Sequence, residues 1–369
     1  MNYRFLSILA IAAAMSAVCA CKGNEDSLKM LVGTYTKGSE SVGVYLLDYN
    51  QEDGSWALVD TAAAGNPSFV IPSGDRAFAY SVGEFADDRQ CAYAYRLSDT
   101  AIDKLNSESA AGEASGATPC NIVIAGGCAI TSNYRGGTLS AFPIKDDGSL
   151  GALVQQYVPE NDNPDAVSHI HCAAISPDGK YLFATDLGLD RLYRSTIGDS
   201  SAPMQDPRIV WQFDSEVHPG PRHLVFSADG RFAYLVHELG DFLTVFSYHD
   251  GELEHVSTQL AYQGGGHGSA DIHISPDGRY LYTSHRLKDD GISIFRINAE
   301  DGSATPAGYC RTGVHPRNFA ITPNGKYLLC ACRDSNAVEI YDINAEDGSL
   351  TFSGRSIDIP APVCVSLYF

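Results

Sequence analysis

Five ionisable residues in this chain stand at one fixed offset from a glycine. His171, Arg222 and Arg317 lie eight positions before Gly179, Gly230 and Gly325, while Glu238 and Arg286 lie eight positions after Gly230 and Gly278. Together these types suit attack of water on a carbonyl. An imidazole or carboxylate can take the water's proton, and fixed positive charge can meet the tetrahedral oxyanion. Glu238 and His171 are the candidate bases. The arginines are the candidate oxyanion or substrate-anion donors, because a planar guanidinium grips carboxylate or phosphate bidentately and an ammonium does not. No GxSxG, HExxH or GxxxxGK[ST] pattern occurs in the chain, which disfavours serine-esterase, zinc-protease and P-loop chemistry.

The glycines belong to a repeated phrase. Ile175-Ser176-Pro177-Asp178-Gly179-Lys180-Tyr181 returns as Phe226-Ser227-Ala228-Asp229-Gly230-Arg231-Phe232, Ile274-Ser275-Pro276-Asp277-Gly278-Arg279-Tyr280 and Ile321-Thr322-Pro323-Asn324-Gly325-Lys326-Tyr327. Weaker copies stand at Pro72-Ser73-Gly74-Asp75-Arg76 and Ala125-Gly126-Gly127-Cys128. Each is an apolar strand, an Asp/Asn-Gly turn and a second apolar strand, the signature of a hairpin. Downstream runs end in a further turn, such as Asn298-Ala299-Glu300-Asp301-Gly302-Ser303 and the identical hexapeptide at 344–349, so each unit carries about four strands. The four strong glycines are 51, 48 and 47 residues apart. A period near 50 with four antiparallel strands per unit predicts an all-β propeller of four-stranded blades.

Second strands fall at 28–36, 76–84, 128–134, 180–188, 231–240, 279–286 and 326–334, seven in all, against six first strands. The missing partner is the C-terminal run Pro362-Val363-Cys364-Val365-Ser366-Leu367-Tyr368, which resembles the first strands at Pro67-Ser68-Phe69-Val70 and Pro119-Cys120-Asn121-Ile122. We therefore expect seven blades over residues 28–369, with the ring closed by the C-terminal strand. In such a ring the Asp-Gly turns occupy one rim, and residues before first strands and after second strands meet at the other. That mouth is expected to gather Glu238, His171, Arg222 and Arg286. Around them His169, His223, Asp271, His273, Arg317, Asn133, Asp186 and His285 are expected to bind substrate, with Asn66, Glu84, His315, Asn318 and Arg333 in the same two classes of position. His285 would add charge beside Arg286.

Composition narrows the partners. Lys+Arg number 25 against Asp+Glu 45, a formal charge of -20, which argues against nucleic acid and anionic membranes. Residues 1–20 carry Arg4, an apolar run and small residues, the pattern of a secretory signal, and no apolar run is long enough to span a bilayer. Val18-Cys19-Ala20-Cys21 followed by a polar stretch resembles a lipoprotein signal, with Cys21 as lipid anchor and 21–27 as tether. The expected location is the cell envelope, with membrane contact only through that anchor. Eight further cysteines, at 91, 120, 128, 172, 310, 330, 332 and 364, form no zinc-type pair of pairs and read as buried free thiols. His169, His171, His273 and Asp271 could offer metal ligands, but a His-x-His pair in a channel strand is more often hydrogen-bonded. No metal or cofactor is expected.

These segments resemble the seven-bladed propeller lactonases of the 6-phosphogluconolactonase type, a family that includes fungal muconate-lactonizing enzymes. The resemblance rests on Leu31-Val32-Gly33-Thr34-Tyr35-Thr36, Asn66-Pro67-Ser68, His169-Ile170-His171, Gly220-Pro221-Arg222-His223, Glu238-Leu239, Ala270-Asp271-Ile272-His273 and Pro316-Arg317, and it covers nearly all of the chain beyond the leader. It implies a His, Arg, Glu and Arg site on His171 (or His169), Arg222, Glu238 and Arg286. It implies hydrolysis of a sugar lactone, with two alternatives: a lactone-forming cycloisomerisation of a muconate-like diacid, or a non-catalytic propeller that binds a sugar acid or a protein.

Overall fold

In the computed structural model, residues 26–112, 117–161, 163, 165–214 and 216–369 are described; the expected signal at 1–20 and most of the tether lie outside them. The repeated phrase folds as expected for its chemistry. Ser176 Oγ bonds Asp178 Oδ1 at 2.6 Å, Gly179 N–H donates to the Ser176 carbonyl, and Ser73–Asp75, Ser227–Asp229 and Ser275–Asp277 repeat the 2.6 Å contact. The residue after the Asp must adopt a left-handed backbone, and Gly179 does so at φ 71°. In the weak copy Arg76 takes that place at φ 65°, which is why its phrase lacks the glycine there.

Seven four-stranded antiparallel sheets result, each meandering from an inner strand outward. Blade 1 pairs the C-terminal strand Pro362–Tyr368 with Ser27–Thr34, so the two chain ends share one sheet and close the ring as expected. Inner strands of blades 2 to 7 are Val70–Pro72, Pro119–Ala125, Ile170–Ile175, Pro221–Phe226, Ser269–Ile274 and Pro316–Ile321. Second strands are buried on both faces, as in Phe232–His237, because each blade is packed between two others. Seven apolar clusters follow the same geometry, one per interface; Phe183 and Leu192 of blade 4, for example, meet Leu224, Ala233 and Leu235 of blade 5. Tyrosines add polar staples on the turn side: Tyr80, Tyr234 and Tyr282 hydroxyls donate to the carbonyls of Gly148, Gly302 and Gly348 in the following blade. All eight cysteines among the described residues are free, and only Cys310 is not buried.

Candidate active site

One extra residue in the inner strands builds the site. In blade 4 Ile170 pairs with Asp186 and Cys172 with Thr185, which leaves His171 unpaired between them. Arg222 is skipped in the same way between Pro221 and His223, Arg317 between Pro316 and Asn318, and Cys120 between Pro119 and Asn121. A bulge of this kind turns its side chain out of the ladder's alternation, here to the channel mouth. The second ring of positions is equally regular. Backbone N–H groups of Tyr35, Glu84, Tyr134, Leu187, Glu238, Arg286 and Arg333 each donate to the carbonyl two residues before the inner-strand position just described, from Ala361 and Asn66 round to His315.

These two rings bring His171, Arg222, Glu238, Arg286 and Arg317 together. Arg222 Nε donates to Glu238 Oε2 at 2.7 Å, and Arg286 NH2 stands 3.0 Å from Glu238 Oε1. Arg286 Nε donates to the Gly268 carbonyl at 3.0 Å, but its NH2 has no hydrogen bond of good geometry. Arg317 lies over the Tyr35 ring at 5.4 Å and 3.8 Å from Glu84, whose carboxylate also accepts from Tyr35 and Ser68 hydroxyls. Three guanidiniums thus face two carboxylates, a local surplus of one positive charge in a chain whose formal charge is -20. Burial would raise the Glu238 carboxyl, yet Arg286, Arg222 and Arg317 outweigh it and hold the group below the ordinary carboxylate range. Glu238 is an anion at neutral pH.

His171 is the uncharged member of the cluster. Burial first, then Arg222, His223, Arg317 and Arg286, keep its imidazole well below the ordinary value. Its Nδ1 is buried without a hydrogen-bond partner, and its ring meets the edges of Tyr134 and His223 at 5.8 and 5.2 Å. A neutral imidazole therefore lies beside three guanidiniums.

The other expected substrate contacts divide into three groups. His169 stays at the rim, stacked on Tyr134 at 4.5 Å with Nδ1 2.8 Å from the Tyr134 carbonyl oxygen. His223, Asp271 and His273 are not at the mouth: they lie deeper in the channel, with Asn318, and border a cavity of about 490 Å³ that opens away from it. His223 follows the bulged Arg222 and sits below it, its Nε2 3.2 Å from Arg222 NH1. Asn133, Asp186 and His285 are fully buried, each bonded within its own blade. Asn133 bonds Thr131, Thr138 and Ser140; Asp186 accepts from Ser168, Tyr193 and the backbone N–H groups of His169, Gly188 and Leu189; His285 bridges Ser269 and Thr283. Burial and Arg286 bring the His285 imidazole down to about 3, so it adds no charge beside Arg286.

The offsets from glycine do not pick out Tyr35 and Ser68, which join Glu84 at the rim. Glu84 is the blade 2 counterpart of Glu238, eight residues after Arg76 rather than after a glycine, and the backbone bond Glu84 N–H to Asn66 O marks the equivalence. Among the described residues no group of three or more His, Cys, Asp or Glu is arranged to hold a metal.

With this geometry in place, the comparisons with known proteins are specific. Residues 29–367 match the family model described as lactonase, 7-bladed beta-propeller. The 6-phosphogluconolactonase of Formosa agariphila is 31% identical over 84% of this chain and 90% of its own length, and that of Bacillus subtilis is 28% identical over 90% and 96%. Among solved structures, a candidate 6-phosphogluconolactonase of Bacteroides fragilis superposes with a TM-score of 0.88 at 39% identity, covering 94% of this chain and 99% of that one. The periplasmic gluconolactonase of Pseudomonas aeruginosa does so at 0.83 and 28%, covering 93% and 99%. The chain belongs to the seven-bladed β-propeller lactonase family.

Proposed function

We propose that the protein hydrolyses a sugar lactone, as a carboxylic-ester hydrolase of the 6-phosphogluconolactonase type, and that His171 is the base. The observation that carries this is a neutral imidazole set beside the Arg222–Glu238–Arg286 cluster. A lactone carbonyl directed at the guanidiniums of Arg222 and Arg286 exposes its carbon to water held by His171. Water oxygen bonds to that carbon, the His171 imidazole takes the water proton, and the carbonyl becomes an oxyanion facing the arginines. The three neighbouring cations oppose protonation of His171, but the negative charge appearing on the substrate in the same step offsets them. Collapse of the intermediate breaks the ring C–O bond, and the proton on His171 passes to the leaving alkoxide. Glu238 is a weak base because two guanidiniums already occupy it; it keeps both arginines aimed and prevents their mutual repulsion from opening the mouth.

The surplus of one positive charge suits one negative group, brought by the substrate or formed on it. We place the protein in the cell envelope, carried there by the signal at 1–20 and held by a lipid on Cys21. The relative named as a periplasmic gluconolactonase supports that placement. In that compartment an unphosphorylated aldonolactone is the expected substrate. Purified protein lacking residues 1–20 should accelerate ring opening of glucono-δ-lactone or its 6-phosphate above the buffer rate. Glu238→Gln and Arg222→Ala should each lose at least about tenfold. No acceleration with either lactone overturns the proposal.

A further inference from the structure

The channel below the mouth holds a polar chain that the reaction does not touch. Arg222 NH1 stands 3.2 Å from His223 Nε2 and donates to the Ala270 carbonyl at 2.6 Å. His223 Nδ1 is 2.7 Å from Asp271 Oδ1. The other oxygen of Asp271 takes His273 Nε2 at 2.9 Å, the Asn318 side-chain amide and the Phe319 backbone N–H at 3.2 Å. His223 and Asp271 side chains are 9% and 4% exposed, so the surrounding packing leaves water little room to replace a lost partner.

These contacts fix a proton. A guanidinium can only donate, so His223 Nε2 must present its lone pair to Arg222, and the ring proton must sit on Nδ1. That N–H points at a carboxylate, which can only accept. Asp271 therefore sets the tautomer that gives Arg222 an acceptor, and Arg222 is held from below by His223 and from above by Glu238. We propose that His223 and Asp271 are positioning residues: the dyad holds the Arg222 guanidinium in the orientation that meets the oxyanion, and neither residue contacts substrate. This rests on the lactonase reading given above.

Asp271→Asn tests the idea sharply because one amide cannot serve both sides of the site. Its oxygen must face the three donors His273, Asn318 and Phe319, which turns its NH2 toward His223 Nδ1 and drives the proton to Nε2, against Arg222. We expect kcat for glucono-δ-lactone to fall at least about tenfold with KM changed less than about twofold, since the Arg222 contact strengthens as the carbonyl becomes an oxyanion. Imidazole nitrogen NMR should report Nδ1–H for His223 in the parent protein and Nε2–H in Asp271→Asn. A second pair guards against misfolding. His223→Gln, whose Oε1 can still accept from Arg222, should keep at least about ten times the kcat of His223→Leu at a similar Tm.

Three results would overturn the proposal: an Nε2–H tautomer in the parent, equal rates for His223→Gln and His223→Leu, or an Asp271→Asn variant with raised KM and intact kcat. The tautomer needs no turnover to be read. Absence of lactonase activity in the parent therefore strikes the functional reading, while the wrong tautomer strikes this one.

Discussion

Arg286→Met should remove activity and raise stability together. Arg286 is buried, and burial together with Arg222 and Arg317 brings its guanidinium down from 12.5 to about 9 despite the pull of Glu238. A displacement of that size sets several kcal/mol against the charged form. Against it stands the Nε bond to Gly268, roughly 1 to 2 kcal/mol; the attraction of Glu238 is already contained in that displacement. Methionine follows the aliphatic stem and leaves Glu238 still paired with Arg222, so the net change is a gain of about 2 kcal/mol, or a Tm higher by about 4 °C. Loss of one oxyanion donor costs about 3 kcal/mol of transition-state stabilisation, a fall of about a hundredfold in kcat. Thermal unfolding and initial rates of lactone opening on the same preparation read both. A Tm lower by about 3 °C or more would show that Arg286 serves the fold, and an unchanged kcat would show that it does not serve the reaction.

The pH dependence and one buried carboxylate give further tests. Because His171 titrates well below the ordinary imidazole value, kcat/KM corrected for spontaneous hydrolysis should stay level from pH 8 down to 6 and decline only below the usual His range. An inflection near 6.5 that disappears in His171→Gln would contradict the assignment. Asp186→Ala removes an acceptor of five hydrogen bonds inside blade 4 and should cost about 3 kcal/mol, a Tm lower by about 5 °C, with KM held within about twofold. A raised KM without loss of stability would return Asp186 to the mouth.

The ring was legible because its punctuation is chemical. Ser-x-Asp-Gly needs a left-handed residue, and four glycines kept the period visible. The copy that uses Arg76 instead weakened the phrase in blade 2, so Glu84 was grouped with Glu238 by its place after a second strand and not by an offset from glycine. Common offsets of eight located the mouth correctly for His171, Arg222, Arg317, Glu238 and Arg286, since each offset counts along a hairpin of constant length. What the offsets could not reveal is direction. His223 neighbours Arg222 in sequence yet lies below it in the channel, while Asn133, Asp186 and His285 end their strands with side chains bonded inside the blade. Chain position specifies the rim of a sheet, but bulges and local hydrogen bonding decide which side chain faces the channel.

The most direct measurement of the central claim is a crystal structure with gluconate, the ring-opened product. Its carboxylate is expected at the mouth, about 3 Å from guanidinium nitrogens of Arg222 and Arg286 and beside the His171 ring. Gluconate bound instead among Lys37, Arg333 and Asp334, or in the cavity bordered by His273 and Ile175, with Arg222 still closed on Glu238, would contradict it.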